Sequence, residues 1–542
     1  MLRMSRSPTE AVAAPGPSGG GRKSLRVHGA IAAGLLALVA LVFSQVSDFG
    51  FINFDDPSYV AANVLVLRGF TWRGVAWAFS TFETGNWHPL TWLSLMADVE
   101  VFGGGARVHH LVNLALHAAN TLLLFGLLTG ITGQRWRSAL VAVLFAVHPL
   151  HVESVVWISE RKDLLSTFFG LLSIGAYLRY ARARSIPRYA LAVAGMVLSV
   201  SSKPMLVTLP AVFLLFDLWP RPRSETWRVL LLEKVPFLAI AAASSLVTVV
   251  AQTRGGAVST LDAIPFTARL SNAVVSYGSY LVKAIWPTAL AVVYPHPAFT
   301  SDPTSPAVVA LCAAALACIS IIVTVRRSGW PFLFFGWAWF IVTLVPVIGL
   351  VQVGMQAMAD RYSYFPLIGI FVAATWSLPE PTTRAARLAL GIVCATVALV
   401  AALVARVQTT YWRDSQTLFR HALAVTHDNA TALRNLGVAY VEDRDYGRGI
   451  AALRESIRLV SGDAWAWMNL GIAQSAAGDQ AGADRAFREA LRLRPEDADV
   501  LYNVGIFAMT QRNFETVRAI HARLAVVNPT LADEFAGRTG LR

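Results

Sequence analysis

The sequence predicts an all-α protein in two parts, a polytopic transmembrane helical domain followed by a tetratricopeptide-repeat α-solenoid. Three observations predict it. Of the 542 residues, 55% are hydrophobic and only 15% are charged, against roughly 25% charged in soluble domains. The deficit gathers in apolar stretches of about 20 residues, long enough to cross a bilayer as helices. Past Arg406 the composition changes and the chain repeats itself every 34 residues. A soluble globular enzyme is excluded.

Residues 1–27 are rich in Pro, Gly, Ser and Arg and have no periodic apolar face, so they read as a disordered cytoplasmic tail. Arg22, Lys23 and Arg26 then precede an apolar run over 29–46. No small-x-small cleavage pattern follows, which favours an uncleaved first span over a signal peptide. Further spans centre near residues 118, 143, 171, 194, 211, 240, 315, 341, 370 and 396, making 28–406 a membrane domain of eleven or twelve spans. Alternate loops carry Arg135 and Arg137, Arg179 to Arg188, Arg221 to Arg228, Arg326 and Arg327, and Arg384 and Arg387. With the tail in the cytoplasm all of them fall on the cytoplasmic side, as the positive-inside rule requires. Parity then demands that 266–294 cross an even number of times, as two spans broken near Trp286-Pro287 or as one interfacial helix.

The net charge of +13 follows from those loops, and no basic helix or stacking-aromatic motif suggests a nucleic-acid partner. Cys312, Cys318 and Cys394 all lie in apolar segments and form neither a disulfide framework nor a zinc site.

Residues 407–535 form the repeat domain. At a period of 34, Asn435-Leu436-Gly437 aligns with Asn469-Leu470-Gly471 and Asn503-Val504-Gly505. Leu453, Phe487 and His521 also coincide, and Pro495 and Pro529 close two units. Small residues that allow close helix crossing, large apolar residues between hairpins and a terminal Pro make the tetratricopeptide pattern. His521, where a large apolar residue is usual, marks an end cap.

The chemistry-bearing residues gather in four loops on the non-cytoplasmic side. Asp55 and Asp56 stand at the membrane surface among aromatics, suited to a general base or a metal ligand, or to an interfacial anchor that opens a helix. His88 precedes an amphipathic segment, and His110, Asn113, His117 and Asn120 follow at helical spacing. Interhelical hydrogen-bond glue is the preferred reading of that set over ligand contact. In the loop from His148 to Asp163, the spacing of His148, His151 and Glu153 is not a recognised zinc pattern. Glu153 with the first-loop aspartates could hold a divalent cation, and Arg161 and Lys162 offer fixed cations to a phosphate. Asp360, Arg361 and Tyr362 make a further anion site, and Lys203-Pro204 emerges on the same side.

Phe54-Asp55-Asp56, Trp87-His-Pro-Leu-Thr91, His110-Leu-Val-Asn113 with His117, His148-Pro-Leu-His-Val-Glu-Ser154 followed by Arg161-Lys-Asp163, and Ala359-Asp-Arg-Tyr-Ser-Tyr-Phe-Pro366 stand ahead of the repeats. Together they resemble the TMTC-type membrane proteins and their bacterial relatives, over about residues 28 to 530. The resemblance implies a GT-C glycosyltransferase domain, O-mannosyltransferase-like, taking a sugar, mannose favoured, from a polyprenyl-phosphate donor. It implies a protein Ser/Thr acceptor docked through the repeats, membrane lipids as surroundings, and a multi-pass location, the bacterial inner membrane favoured. On this reading Asp55 is the base and Asp56 orients the acceptor or a metal. Arg361, then Arg161 and Lys162, bind the donor phosphate. His88, His110, Glu153, Asp360 and Tyr362 supply support or substrate contacts. A divalent cation is allowed for without being required. The alternatives are a glycan or lipid acceptor, a non-catalytic repeat scaffold that recruits periplasmic partners, and a transporter, which the collection of charge on one face disfavours.

Overall fold

The computed structural model describes residues 19–254 and 264–541, and it is helical almost throughout. Helix Gly19–Phe43 already includes the end of the expected tail, so the boundary at 27 moves toward the N-terminus; residues 1–18 lie outside the described residues. Six helical segments are long and apolar enough to cross a membrane: Leu25–Asp48, Ala106–Thr132, Ile158–Arg182, Trp227–Arg254, Pro306–Ser328 and Arg384–Thr410. A seventh forms if Arg135–Val147 and Pro149–Val156, bent by 55°, count as one.

Of the eleven or twelve spans expected, six or seven are helices this long. Each expected centre falls on a helix, but those near 194, 211, 341 and 370 are the short helices Ile186–Ser202, Leu209–Leu218, Pro331–Leu344 and Leu367–Trp376. Leu209–Leu218 and Leu367–Trp376 are buried almost throughout. Their apolarity comes from packing inside protein, where prolines and irregular backbone are tolerated at membrane depth. In the stretch 266–294, a single helix Phe266–Ile285 is followed by a loop and the strand Tyr294–Pro295, which pairs antiparallel with Gln356–Met358. Among the described residues no second helix exists there, so the pair of spans is excluded. Asn272 donates to Ala357 O (2.9 Å) and Tyr280 to Ala359 O (2.9 Å), laying the helix along that loop.

The repeat array comprises the pairs Ala430–Glu442 with Tyr446–Leu459, Ala464–Ala476 with Gln480–Leu493, and Ala498–Thr510 with Phe514–Val527. Its sequence period is written into the helix ends. Asn429, Asp463 and Asp497 cap the first helices, and Asp445, Asp479 and Asn513 the second, each accepting backbone N–H groups that would otherwise go unpaired. The turns place Arg444, Gly478 and Arg512 in the left-handed region, with φ of 64°, 90° and 56°. A Cβ on Gly437 would sit 2.7 Å from Leu453, and one on Gly471 3.0 Å from the Phe487 ring. In the third unit the group over Gly505 is Phe535, from the added helix Pro529–Thr539, at 2.5 Å. That helix supplies the bulk that His521 does not.

The array is fused to one end of the membrane domain. A single apolar core runs from Val39 and Phe145 to Phe419 and Leu436. Phe54 stacks on Trp157 (5.3 Å) and meets Phe419 edge-on (6.1 Å), joining the two parts. Asn53 N donates to Ser415 Oγ (2.9 Å), and Asn429 Nδ2 to Val293 O (3.0 Å).

Candidate active site

The two adjacent acids have opposite fates. Asp56 is fully buried; its Oδ2 accepts from Ile52 N (2.9 Å) and its Oδ1 from Ser159 N (3.1 Å) and Ser159 Oγ (2.5 Å). Both oxygens are thus committed to fastening the first loop to the turn at 157–160. This corrects the expected role of Asp56 in orienting acceptor or metal: it holds the loop and does not line the cavity that Asp55 enters. Burial nevertheless pushes it up to about 6.

Asp55 faces instead into a cavity of about 400 Å³, also lined by Glu160, Lys162, Lys203, Arg361 and Tyr362. Thr84, Gly85 and Asn86 form one rim, and Ser245, Thr248, Val249, Val347 and Val351 form a more apolar wall. Burial raises the Asp55 carboxyl above its ordinary range, with Lys162 and then Arg361 pulling against that.

Glu160 knits the cations together, pairing with Lys162 (3.2 Å), Lys203 (2.9 Å) and Arg361 Nε (3.3 Å). Lys203 also pairs with Asp163 (2.6 Å). Burial alone would lower Lys203, but Asp163 and Glu160 hold it above its usual value. Glu153 is the seat of Arg361, accepting its backbone N–H (3.0 Å) and pairing with its guanidinium. The Tyr362 ring lies 5.0 Å from Arg361 and 5.8 Å from Lys203. Asp360 points away, accepting from Tyr294 OH at 2.9 and 3.0 Å; burial and then Glu153 push it up to about 8.

Arg161 does not join the cavity, contrary to the expectation that it binds phosphate with its neighbour. Its guanidinium donates to Asn113, Ser94 Oγ (2.9 Å), Asp98 (2.8 Å) and His109 O (2.9 Å), and it is wholly buried. It bolts the helix Pro89–Phe102 to the helix Ala106–Thr132. The glue reading of the polar residues holds as well: Asn113 donates to Trp157 O (3.0 Å), Asn120 to Leu164 O (3.0 Å), and His117 meets Tyr364 OH (2.8 Å). His110 lies behind the first loop, 3.4 Å from Gly50 O. His88 sits one layer back, stacked with Tyr59 (5.4 Å) and Trp92 (4.9 Å). Tyr59 in turn accepts a hydrogen bond from Lys162 (3.2 Å), so His88 supports that lysine through one ring.

His148 Nε2 meets Ala284 O (3.0 Å) and His151 Nδ1 meets Phe145 O (2.8 Å). Among the described residues no group of three or more His, Cys, Asp or Glu is arranged to hold a metal ion. Sequence reasoning undervalued Lys203 and Glu160. A lysine directly before Pro204, at the break between two apolar helices, was the available signal.

No family model matches the chain. Among curated proteins it is similar to protein O-mannosyl-transferase Tmtc2 of Drosophila melanogaster, 30% identical over 195 residues, covering 33% of this chain and 21% of that protein. Protein O-mannosyl-transferase TMTC4 of Homo sapiens is 32% identical over 170 residues, covering 28% of this chain and 22% of that protein. The Mus musculus TMTC2 protein is 28% identical over 138 residues, covering 24% and 16%. The matches thus span about a fifth of the length of these relatives. They agree with the TMTC-type resemblance that the motifs carry. The crystal structure of the APC/C hetero-tetramer Cut9-Hcn1 aligns over 85% of this chain and 90% of that one at 14% identity, but a TM-score of 0.24 is too low to bear on the fold.

Proposed function

We propose that the protein is an integral-membrane glycosyltransferase of GT-C type that moves a sugar, mannose favoured, from a polyprenyl-phosphate donor to a protein Ser/Thr hydroxyl on the non-cytoplasmic side. The observation that carries this is one cavity lined by both Asp55 and the cations Lys162, Lys203 and Arg361. The names of the relatives agree with the transfer; the apolar wall at Val249, Val347 and Val351 suits a lipid-linked donor. Sidedness is supported by charge. The helix Arg161–Arg182 starts at the cavity and ends at Arg179 and Arg182, and Ile186–Ser202 runs from Arg188 back to Lys203, so arginine-rich turns lie at the opposite end.

In the reaction, the acceptor oxygen attacks the anomeric carbon while Asp55 takes its proton. The bond from that carbon to the phosphate oxygen breaks, and the electron pair leaves with the lipid phosphate. Arg361, Lys162 and Lys203, already held in place by Glu153, Glu160 and Asp163, meet the charge that grows there, at no further cost of orientation. Arg161 has no part in this step. A label-transfer assay with polyprenyl-phosphate mannose in membranes tests the assignment. Wild type should label acceptor protein, and Asp55→Asn and Arg361→Ala should not; equal labelling by all three would end it.

A further inference from the structure

Besides its charged groups the cavity carries amide side chains, and Gln356 is held more firmly than Asn86 or Gln252. Its strand Gln356–Met358 pairs with Tyr294–Pro295, and His296 N donates to Met355 O just before it (2.8 Å). Gln352 Nε2 donates to both Gln356 O (2.8 Å) and Gly354 O (3.1 Å). On the following residue, Ala357 O accepts from Asn272 (2.9 Å) and Ser276 Oγ (3.3 Å). The backbone at Gln356 is thus fastened on both sides.

The side chain is placed as well. Gln356 Nε2 donates to Tyr362 OH (3.2 Å), and the amide folds back over Gly354, where a Cβ would lie 2.5 Å from Gln356 Oε1. Gly354 also has a φ of 72°, so glycine leaves room for the amide and tolerates the backbone. Among the described residues Gln356 Oε1 accepts no hydrogen bond and the Tyr362 hydroxyl donates none. Both residues are half-buried and both line the cavity, whereas the unpaired oxygen of Gln352 is sealed inside the protein.

We propose that Gln356, together with Tyr362, reads one hydroxyl of the donor sugar and makes Gln356 a specificity-determining residue. The inference deepens the transferase reading and rests on it for the ligand, a lipid-linked sugar. A sugar hydroxyl donates one hydrogen bond and accepts others, and this pair presents a carbonyl oxygen and an O–H side by side. The position agrees. The Tyr362 ring lies 5.0 Å from the Arg361 guanidinium, so the amide stands one ring away from the cation assigned to the phosphate, and the sugar is bonded directly to that phosphate. Arg361, Lys162 and Lys203 cannot tell one sugar from another, because the phosphate is common to every such donor. Discrimination falls to neutral groups that are left unpaired by the wrong sugar, and these work best when their own geometry is fixed beforehand.

The test uses the full-length protein in lipid nanodiscs with no acceptor present. Polyprenyl-phosphate mannose, and forms of it with one hydroxyl at a time replaced by hydrogen, compete against a fluorescent polyprenyl-phosphate mannose. Wild type should bind one of the deoxy forms about tenfold more weakly than the parent, the cost of one unpaired polar group. Gln356→Leu should bind that form and the parent equally, and should bind sugar-free polyprenyl phosphate as wild type does. Gln356→Met, of nearly the same length, serves if leucine disturbs the fold. Equal binding of all the deoxy forms by wild type would overturn the proposal, as would a variant that keeps the wild-type preference. A variant that loses sugar-free polyprenyl phosphate as much as the parent would also overturn it, assigning Gln356 to structure. The two readings fail separately. If the deoxy forms are discriminated through Gln356 but no mannose moves when acceptor is added, the transferase assignment falls and the sugar reader stands. If wild type transfers from every deoxy donor with equal kcat/KM, the reader falls and the transferase stands.

Discussion

The helix Arg161–Arg182 carries a buried charge cluster at each end, and the two clusters differ in one respect. At the far end, Lys234 donates to Tyr177 OH (2.7 Å), Asp217 (2.7 Å) and Leu230 O (3.0 Å), so its three protons are all used. Arg223 there reaches Glu225 (3.2 Å), Tyr177 (3.1 Å), Asp217 (3.3 Å) and Glu233 (2.6 Å). At the cavity end, Lys162 has two partners, Tyr59 (3.2 Å) and Glu160 (3.2 Å), and Lys203 has two, Glu160 (2.9 Å) and Asp163 (2.6 Å). Each of these lysines keeps a donor unused among the described residues. A buried ion network whose hydrogen bonds are all made is structure; one with donors to spare beside an open volume is equipped to receive an anion.

The largest effects should separate the ends by what they disturb. Asp55→Asn should lower transfer about 10²- to 10⁴-fold, the range of a positioned base, with unfolding temperature nearly unchanged. Asp217→Asn should leave transfer per folded molecule intact but cost about 3–5 kcal/mol of stability by stranding the buried Lys234, read from thermal unfolding in detergent. If Asp217→Asn instead abolished transfer in a fully folded protein, the division between the two ends would be wrong.

Charge on the phosphate side should give the next largest effect. Lys203→Met should reduce kcat about 10²- to 10³-fold, as losing one preorganised donor does, whereas Arg161→Met should act through folding alone. Transfer and circular dichroism on the same samples distinguish these.

The pH dependence is smaller and has two signs. Asp55 works as a base only when ionised, and its carboxyl is raised, so kcat/KM should fall on acidification at a pH above the ordinary carboxylate range of about 4. Asp360 is raised to about 8, so the folded protein keeps a proton that the unfolded chain has released. The stability that Asp360 contributes should therefore be full below about pH 4 and decline as pH rises from there toward 8. Asp360→Asn should flatten that decline in thermal melts. In the array, which neither cluster touches, Arg444→Gly should stabilise by about 1 kcal/mol by relieving the left-handed backbone. Gly437→Ala should cost about 1–3 kcal/mol against Leu453. Neither should alter transfer to a short acceptor.

How much of this was legible in the sequence depends on the range of the interaction. The three repeat pairs were legible, since period, caps and glycines are local: Asn429, Asp463 and Asp497 recur at the same 34-residue spacing as the apolar positions, whereas the added helix Pro529–Thr539 falls outside that pattern. That Asp55 and Arg361 would meet in one site was legible in the gathering of acids and cations into a few loops, and both line the cavity. Asp55 could not be told from Asp56, because the difference lies in Ser159, 103 residues away. Arg161 and Lys162 looked alike for a similar reason. Successive helical residues point about 100° apart, so one turns to Asp98 and the other to Tyr59 and the cavity. The expected spans outnumber the long apolar helices because apolarity alone does not reveal helix length, and four expected centres fall on helices of 10 to 17 residues.

The two innermost helices set a depth. Leu209–Leu218 starts just past the cavity-lining Val207 and Leu367–Trp376 a few residues past Tyr362, and both run toward a packed pair of tryptophans, Trp219 and Trp376, 5.5 Å apart. Ten residues of helix rise about 15 Å, half the hydrocarbon thickness of about 30 Å. About 15 Å of packed helix therefore separates the chamber floor from that tryptophan pair.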